Sequence, residues 1–310
     1  MSRSVQWSLI SALVGLLAFS SVACDVAKFG AGTQVKVMKR ASKGFDKEKD
    51  PVLAERALYG NLKMMEALME VIPENADLQF IAGKAFVGAA AGFIETKIDA
   101  ISDEDNPKRK EMVARAVDFY ERGMKYSLKW IELEHYPGFG RIINQGDLNL
   151  LKQALKKMDK DAAPGLFWLA NAWSGTIRLQ LDNMKKILEL PRPAAIMERV
   201  IELDETYYHG GAHVFFGGMY SMKAKSMGGD PDKAKQHFDR AWEIGKGKVL
   251  LAKFFKARFY AVAIQNRELF TKLLNEVISA PPGLSADNRL LNELMKAKAR
   301  IWLKRADDLF

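Results

Sequence analysis

The amino-acid sequence predicts an all-α protein, and three observations support this class. Long segments place apolar residues at intervals of three and four, which is the spacing of one helix face. Pro, Gly and Asp-Asn steps separate these segments where helices would end. Alternating strand patterns are almost absent. The 310 residues are 48% hydrophobic and 27% charged, so we expect a sizeable folded core and not a disordered chain.

The first 23 residues carry the pattern of a secretory signal peptide. Arg3 supplies the positive start, and the apolar run Leu9–Phe19 is too short to span a bilayer comfortably. The small residues Ser21–Ala23 then precede Cys24, which is the one cysteine of the chain. This resembles the lipobox of bacterial lipoproteins, in which the cysteine thiol receives a diacylglycerol. Such boxes usually carry Leu where this chain has Ser21, so an ordinary signal peptide is the alternative.

Asp25 follows Cys24, and in enteric bacteria an aspartate there favours retention in the inner membrane. We therefore expect a lipid-anchored protein of the bacterial cell envelope that faces the periplasm. The chain divides into a signal peptide (1–23), an anchor and linker segment (24–50) and one helical-repeat domain (51–310). Its single membrane-type segment excludes a polytopic membrane protein.

Periodicity and turn signals predict helices near 52–71, 76–98, 108–134, 147–159, 164–180, 193–203, 208–226, 231–244, 248–264, 267–279 and 286–308. The acidic run Asp103–Asp105 before Pro107 is typical of a helix start, where carboxylates offset the helix dipole. Gly228 and Gly229 mark the turn between two helices. Residues 135–146 are the most loop-like interruption. They are not expected to divide the domain, because the helices on both sides should share one core.

The predicted helices form pairs that share a signature of small and large residues. The clearest copy comprises Leu203–Tyr207, Ala212 and Phe216–Tyr220, followed in the next helix by Ala234, Phe238 and Ala241. It resembles the tetratricopeptide pattern, in which small residues let two helices approach and a large residue fills the gap beside them.

Weaker copies of this signature mark three further helix pairs. The small residues Gly83, Ala170, Gly217 and Ala257 lie 87, 47 and 40 residues apart. The units are therefore irregular and longer than the usual period of about 34 residues. The predicted fold is all-α, with irregular tetratricopeptide-like helical-pair repeats (an α-solenoid). A C-terminal capping helix completes it, since an open-ended stack needs a cap.

Further stretches extend this resemblance along the chain, and they are densest after residue 160. They are Gly165–Ala170, Leu203–Gly210, Gly228–Ala234 with Phe238, Leu250–Lys253, Arg267–Phe270, Asn292, Ala299–Arg300 and Asp307–Phe310. In this order and spacing, residues 24–310 resemble the T component of tetratricopeptide-associated TRAP transporters, the TatT family. The resemblance implies a periplasmic lipoprotein that associates with the substrate-binding protein. It also implies a role in moving a small organic ligand, carboxylate-bearing or hydrophobic, towards the membrane permease.

Candidate ligand residues follow from the tetratricopeptide register, in which the position after each small residue faces the concave groove. Those positions hold Lys84, Asn171, Gly218 and Arg258. Arg, Lys and Asn could all donate to a carboxylate, Arg through a bidentate fork. The adjoining positions form an apolar wall and hold Phe167, Val214, Met222 and Phe254, while Trp168 and Tyr208 could line a passage. The alternative is that all are ordinary groove or packing residues, which is the interpretation favoured for Trp173 and Tyr220.

No catalytic or metal-binding constellation is found in the sequence. His209 and His213 have i, i+4 spacing but no third ligand, and His135 and His237 stand alone. No phosphate-binding G-x-x-x-x-G-K-[ST] motif or nucleophile elbow occurs. We expect no enzyme activity and no cofactor.

The excess of nine basic residues is spread over helix faces such as Lys152–Lys160, so we expect no nucleic-acid binding. The expected partners are a periplasmic substrate-binding protein and, through the lipid, a membrane. Assembly into a homo-oligomer is left open. The alternative function is a scaffold that holds a partner protein of the cell envelope in the groove.

Overall fold

The computed structural model describes residues 26–222 and 228–310. Within these ranges all regular secondary structure is helical, which confirms the all-α class. The predicted signal peptide, Cys24 and Asp25 lie outside the described residues, as does the predicted end of the helix 208–226. One described stretch, Ala76–Asp99, is long and apolar enough to cross a membrane, but just over half of its most apolar window is buried inside the fold.

The helices are labelled in chain order. They are α1 (26–46), α2 (Pro51–Val71), α3 (Ala76–Ala89), α4 (Glu95–Asp99), α5 (Pro107–Glu134), α6 (Phe139–Gln145), α7 (Leu148–Lys156), α8 (Ala163–Arg178), α9 (Met184–Ile187), α10 (Pro191–Asp204), α11 (Gly211–Met222), α12 (Pro231–Ile244), α13 (Leu251–Phe255), α14 (Arg267–Ser279), α15 (Arg289–Leu303) and α16 (Ala306–Leu309). A π-helical turn, Ala90–Ile94, joins α3 to α4, and a second one, Lys256–Ala261, continues α13.

Several helices begin at an acidic or amide cap followed by proline, as the punctuation of the sequence predicts. Asp50 accepts hydrogen bonds from the backbone N–H groups of Val52 and Leu53, at 2.8 and 3.2 Å. Asp230 caps α12 in the same way, and Asn106 caps α5. A proline at the first helical position lacks the N–H that would otherwise have no partner, so these starts are well defined.

The four helix pairs predicted from the sequence each pack together. They are α3 with α5, α8 with α10, α11 with α12, and α13 and its π turn with α14. The small and large residues of the signature meet as expected in the third pair. A Cβ atom at Gly217 would lie 2.8 Å from the ring of Phe238, so the close approach of α11 and α12 requires glycine there.

The last long helix, α15, has partners at both ends of the chain. It packs on α13 and α14, and it also contacts α2, α4 and the first π turn. The ammonium nitrogen of Lys298 lies 3.1 Å from Oδ2 of Asp99 on α4. Because α15 is buried on more than one side, it bridges the first and last helices and does not cap a stack with one free face.

Several described segments differ from the sequence prediction, and one of them is the short helix α9, which lies between two predicted helices. Residues 26–46 are helical, although no helix was predicted before residue 52. The loop-like stretch 135–146 contains α6, set between Gly138 and Gly146, which both have positive φ. The helix predicted from residue 208 begins only at Gly211, because Tyr208 and His209 adopt φ of 47° and 59°, outside the helical region.

Candidate functional site

Charged side chains from both halves of the chain meet inside the fold. We call the set Glu95, Asp99, Arg178, Arg258 and Lys298 the central charged cluster. Its two acids lie on α4, directly after the first π turn. Its cations come from the end of α8, the second π turn and α15. Both described π turns therefore border the cluster, and such turns are frequent at functional sites because they redirect the side chains of a helix.

Glu95 and Arg178 form a bidentate ion pair in this cluster. Both guanidinium nitrogens of Arg178 lie 2.7 Å from the carboxylate oxygens, and the Tyr120 hydroxyl donates to the same carboxylate. Burial alone would raise the pKa of Glu95, but the charge of Arg178 holds it below its usual value. A Cβ atom at Gly175 would lie 2.6 Å from the Tyr120 ring, so glycine there gives the ring its place beside Glu95.

Asp99 and Lys298 form the second ion pair of the cluster. Their side chains are 20% and 4% exposed. Burial would raise the pKa of Asp99, whereas the Lys298 ammonium lowers it below the usual value, with Arg258 acting in the same direction. Both acids of the cluster are therefore ionised at neutral pH, and each has a cation of its own.

Arg258 is the cation of the cluster that has no acid of its own. Within residues 26–222 and 228–310 its guanidinium forms no hydrogen bond or ion pair, and Asp99 and Glu95 attract it only at longer range. Its Cζ atom lies 3.4 Å from the centre of the Trp302 ring, and Arg305 lies over the same ring at 4.7 Å. Stacking on an aromatic face holds the guanidinium in place but leaves its N–H donors available.

The cluster carries more positive than negative charge. Two carboxylates face three cations, and burial lowers the pKa of Arg258 to about 10. The guanidinium is still protonated at neutral pH. A charge that is partly desolvated and has no partner is unfavourable, and an anion beside it would relieve this cost. The arrangement therefore suits the binding of an anion.

The predicted aromatic residues of the site come together elsewhere in the fold. The ring of Tyr208 lies 5.2 Å from Phe167 and 4.9 Å from Trp168. The Trp168 indole donates a hydrogen bond of 2.9 Å to the hydroxyl of Tyr207. Phe167 and Trp168 are buried, so these side chains pack against one another and do not present an open apolar surface.

The other predicted groove residues have separate neighbours. Lys84 lies 3.5 Å from Asp46 at the end of α1, and Asn171 donates to the backbone carbonyl of Phe167 in its own helix. Phe254 and Val214 are buried, Met222 is half exposed, and a Cβ atom at Gly218 would lie 3.3 Å from the Phe259 ring. Among the described residues, none of these side chains forms a hydrogen bond, an ion pair or a cation–π contact with Arg258. Lys84 is not available for a ligand because Asp46, at the end of α1, pairs with its ammonium group.

The histidines are arranged differently from the sequence expectation. His209 precedes α11 with a positive φ, so it does not share a helix face with His213. His237 does not stand alone, because its Nδ1 atom lies 2.9 Å from Nδ1 of His213. Nε2 of His213 lies 3.2 Å from Glu205. Burial lowers the pKa of both His213 and His237, that of His237 to about 4, which favours a neutral pair.

Most residues of the central charged cluster were missed in the sequence. One signal was present for Glu95, which follows the apolar run 89–94 and therefore stood out as a charge on a core helix. Lys298 and Trp302 lie in α15, whose alternation of apolar and charged residues is that of any amphipathic helix. Nothing in the sequence indicates that they lie next to α4. Of the ligand residues predicted from the sequence, Arg258 is the one that belongs to the central charged cluster.

The fold and the cluster define an all-helical protein whose interior holds fixed charges. Among residues 26–222 and 228–310, no group of three or more His, Cys, Asp or Glu side chains could hold a metal ion. The chain belongs to the TRAP transporter T-component family, whose sequence pattern matches residues 47–310. This confirms the resemblance seen in the sequence.

A relative from Treponema pallidum (strain Nichols), described as an uncharacterized protein, shares 26% identity over 292 residues. The match covers 93% of this chain and 89% of the relative. Membership of the T-component family associates the chain with a TRAP transporter system and with the cell envelope.

Proposed function

We propose that this protein is a lipid-anchored, periplasm-facing accessory component of a TRAP transporter that docks the substrate-binding protein. We further propose that it holds a small organic anion at Arg258 and provides a passage for it. The family supports the transporter role, and the pattern from Arg3 to Cys24 supports the lipid anchor. Asp25 favours the inner membrane as the site of that anchor.

The helical pairs support a tetratricopeptide-like solenoid as the architecture behind this function. The partners within each pair match the signature, and Gly217 meets Phe238 as the pattern requires. In an open solenoid the C-terminal helix would contact only its neighbours in the stack, whereas α15 also contacts α2 and α4. We call this additional contact the closure. This closure brings the two ends of the repeat array together at the central charged cluster.

The observation that carries the ligand proposal is the guanidinium of Arg258. It is only partly buried, it stacks on Trp302, and the described residues provide no acceptor for its donors. A carboxylate could accept two parallel hydrogen bonds from it. The stacked rings of Phe255 and Phe259, 5.5 Å apart, lie on the same helical segment and suit the apolar body of an organic acid.

A scaffold of the cell envelope is the second candidate function. One surface favours it, because Leu181, Met184 and Leu188 around the short α9 are 53%, 66% and 72% exposed. Exposed apolar side chains at this spacing are typical of a protein-binding surface. The docking of a substrate-binding protein could use the same surface, so the identity of the bound partner separates the two functions.

The test is capture of the tagged protein from detergent-solubilised membranes, followed by mass spectrometry of proteins and bound small molecules. The wild type should bring down a periplasmic solute-binding protein, a TRAP permease and an organic acid. Arg258→Gln should keep the protein partners but bind the acid about 10–100-fold more weakly, since a charge-assisted hydrogen bond is lost. Lys84→Gln is the matched control and should keep the acid, because Lys84 is paired with Asp46.

Two outcomes would contradict the proposal. Recovery of envelope-assembly proteins with no transporter component would support the scaffold. Recovery of the transporter with unchanged acid binding in Arg258→Gln would retain the transport role but remove Arg258 as its ligand residue.

A further inference from the structure

Helix α1, which was not predicted from the sequence, has one side that packs on the body of the protein. Ala31 and Val35 are buried on this side, and Met38 and Phe45 pack against the same core. Lys39 and Asp77 of α3 form an ion pair at 2.5 Å, and Asp46 at the end of α1 faces Lys84. The helix is therefore fixed to the first helix pair along its length.

The opposite side of α1 is apolar and exposed. Val26, Phe29 and Val37 have 67%, 78% and 61% of their surface in solvent. Together with Thr33 they recur at intervals of three and four residues, which places them on one side of the helix, away from Val35. A packed helix with a second, unpartnered apolar side indicates an interaction surface.

Basic side chains border this apolar side. At 100° per residue, Lys36 and Lys43 lie at one edge of the exposed apolar side, and Arg40 lies within it, between Phe29 and Thr33. All three are exposed, and within the described residues none of them forms an ion pair. Asp46 is the one acidic residue in 26–46, and it faces Lys84. The exposed part of α1 therefore combines apolar and positive groups.

We propose that α1 lies on the surface of a membrane that contains anionic lipids. Val26, Phe29 and Val37 would enter the boundary between headgroups and acyl chains, and the basic side chains would meet lipid phosphates. Lys and Arg beside an exposed apolar helix face are typical of helices that lie in the membrane interface. The inference is independent of the transport function.

The position of α1 in the chain favours a membrane over a partner protein. The described part of α1 starts two residues after Cys24 and seven after the apolar run Leu9–Phe19. If Cys24 is acylated, its lipid holds the start of α1 at the bilayer. If Cys24 is not acylated and the apolar run Leu9–Phe19 is retained, that run inserts into the bilayer and holds α1 there. A second copy of the chain would present the same positive side and would repel it.

This contact would give the protein a fixed orientation on the membrane. A single lipid anchor on a flexible segment would leave the body free to rotate. Because α1 is held to α3 by Lys39, Asp77 and the Asp46–Lys84 contact, a helix that lies on the bilayer holds the first helix pair beside it.

The experiment measures the depth of labelled positions in vesicles. The full protein is extracted in detergent and reconstituted into phosphatidylcholine vesicles with or without one third phosphatidylglycerol. Val37→Cys carries an environment-sensitive fluorophore, and Leu188→Cys on the exposed segment beside α9 is the matched control, since Leu188 is equally apolar and more exposed. Wild type treated with the same reagent gives the background from Cys24.

We expect brominated lipids to quench the label at position 37 at least twofold more than the label at position 188. The difference should require phosphatidylglycerol and should fall at high salt. Changing Lys36, Arg40 and Lys43 together to Glu should remove it without affecting the fold, because all three are exposed and unpaired in the described structure.

Two results would overturn the inference. Equal quenching at positions 37 and 188 would mean that α1 is not in the lipid interface. Stronger quenching at position 37 that disappears when each vesicle holds at most one protein would mean that α1 contacts another copy of the chain. Failure of the transporter capture would affect neither result, so the two proposals are tested separately.

Discussion

At the residue scale, the central charged cluster is stabilised by its two ion pairs, Glu95–Arg178 and Asp99–Lys298. Glu95→Gln would leave the guanidinium of Arg178, whose side chain is 35% exposed, without its counter-charge. We expect a loss of about 1–3 kcal/mol of the free energy of unfolding, less than for a fully buried pair, because water can partly screen the guanidinium. Urea unfolding measures the loss. Glu276→Gln is the control, because Glu276 is 39% exposed in its pair with Lys253 and its change should cost at most about 1 kcal/mol.

The same carboxylate sets a direction for the dependence of stability on pH. The pKa of Glu95 is lower in the folded chain than its usual value of 4.5. As the pH falls, the unfolded chain therefore takes up a proton at a higher pH than the folded chain does. The stabilisation is therefore complete above pH 4.5 and is lost as the pH falls through the lower, folded pKa. The difference in unfolding free energy between wild type and Glu95→Gln should shrink over that range. A difference that stays constant down to the lowest pH would contradict the ionised pair.

At the element scale, the distance between α11 and α12 depends on Gly217. A Leu side chain there would meet the ring of Phe238, since even a Cβ atom would be only 2.8 Å away. Overfilling of this kind costs about 1–3 kcal/mol, measured by thermal or urea unfolding. Gly60→Leu on α2 is the matched control. Apart from the backbone of its own helix, nothing lies within 4 Å of a Cβ at Gly60, so replacing this helical glycine should stabilise the protein by roughly 0.5–1 kcal/mol. Equal effects at the two sites would show that Gly217 has no role in packing.

The helix pairs could be predicted from the sequence because their information is local. Small residues such as Gly217, apolar periodicity and Pro caps all act within a few residues of one another. Helix α1 was missed because its apolar residues face two directions, Val35 inward and Phe29 outward, so no single stripe stands out. The sequence predicts a helix at Tyr208 because tyrosine, unlike Gly or Asn, gives no indication of a left-handed backbone conformation.

The central charged cluster could not be predicted for a different reason. Its contacts join residues far apart in the chain, 83 positions between Glu95 and Arg178 and 199 between Asp99 and Lys298. Any acid on the chain could pair with any base until the fold is known. Arg258 was found only because the repeat register selected its position, and its neighbours Trp302 and Asp99 belong to helices that the register does not relate to it.

At the scale of the whole molecule, α15 joins the two ends of the helix array. Lys298→Met should leave Asp99 without its ion-pair partner, with only Arg258 near it, and cost about 1–3 kcal/mol. Hydrogen exchange should then rise in α4 and the first π turn as well as in α15, because α15 packs on both of these elements next to the lost ion pair. Lys304→Met is the control, because Lys304 is exposed and directly follows the end of α15, and it should change neither region.

A double variant separates this ion pair from a general weakening of α15. Asp99→Asn removes the charge that Lys298→Met leaves unpaired, so the two changes together should cost less than their sum by about 0.5–3 kcal/mol. In Lys298→Met, faster hydrogen exchange that is confined to α13, α14 and α15 would mean that the helices form an open stack whose first pair does not depend on α15. Faster exchange in α4 as well as in α13, α14 and α15 would mean that the helix pairs form one cooperative unit joined across the central charged cluster.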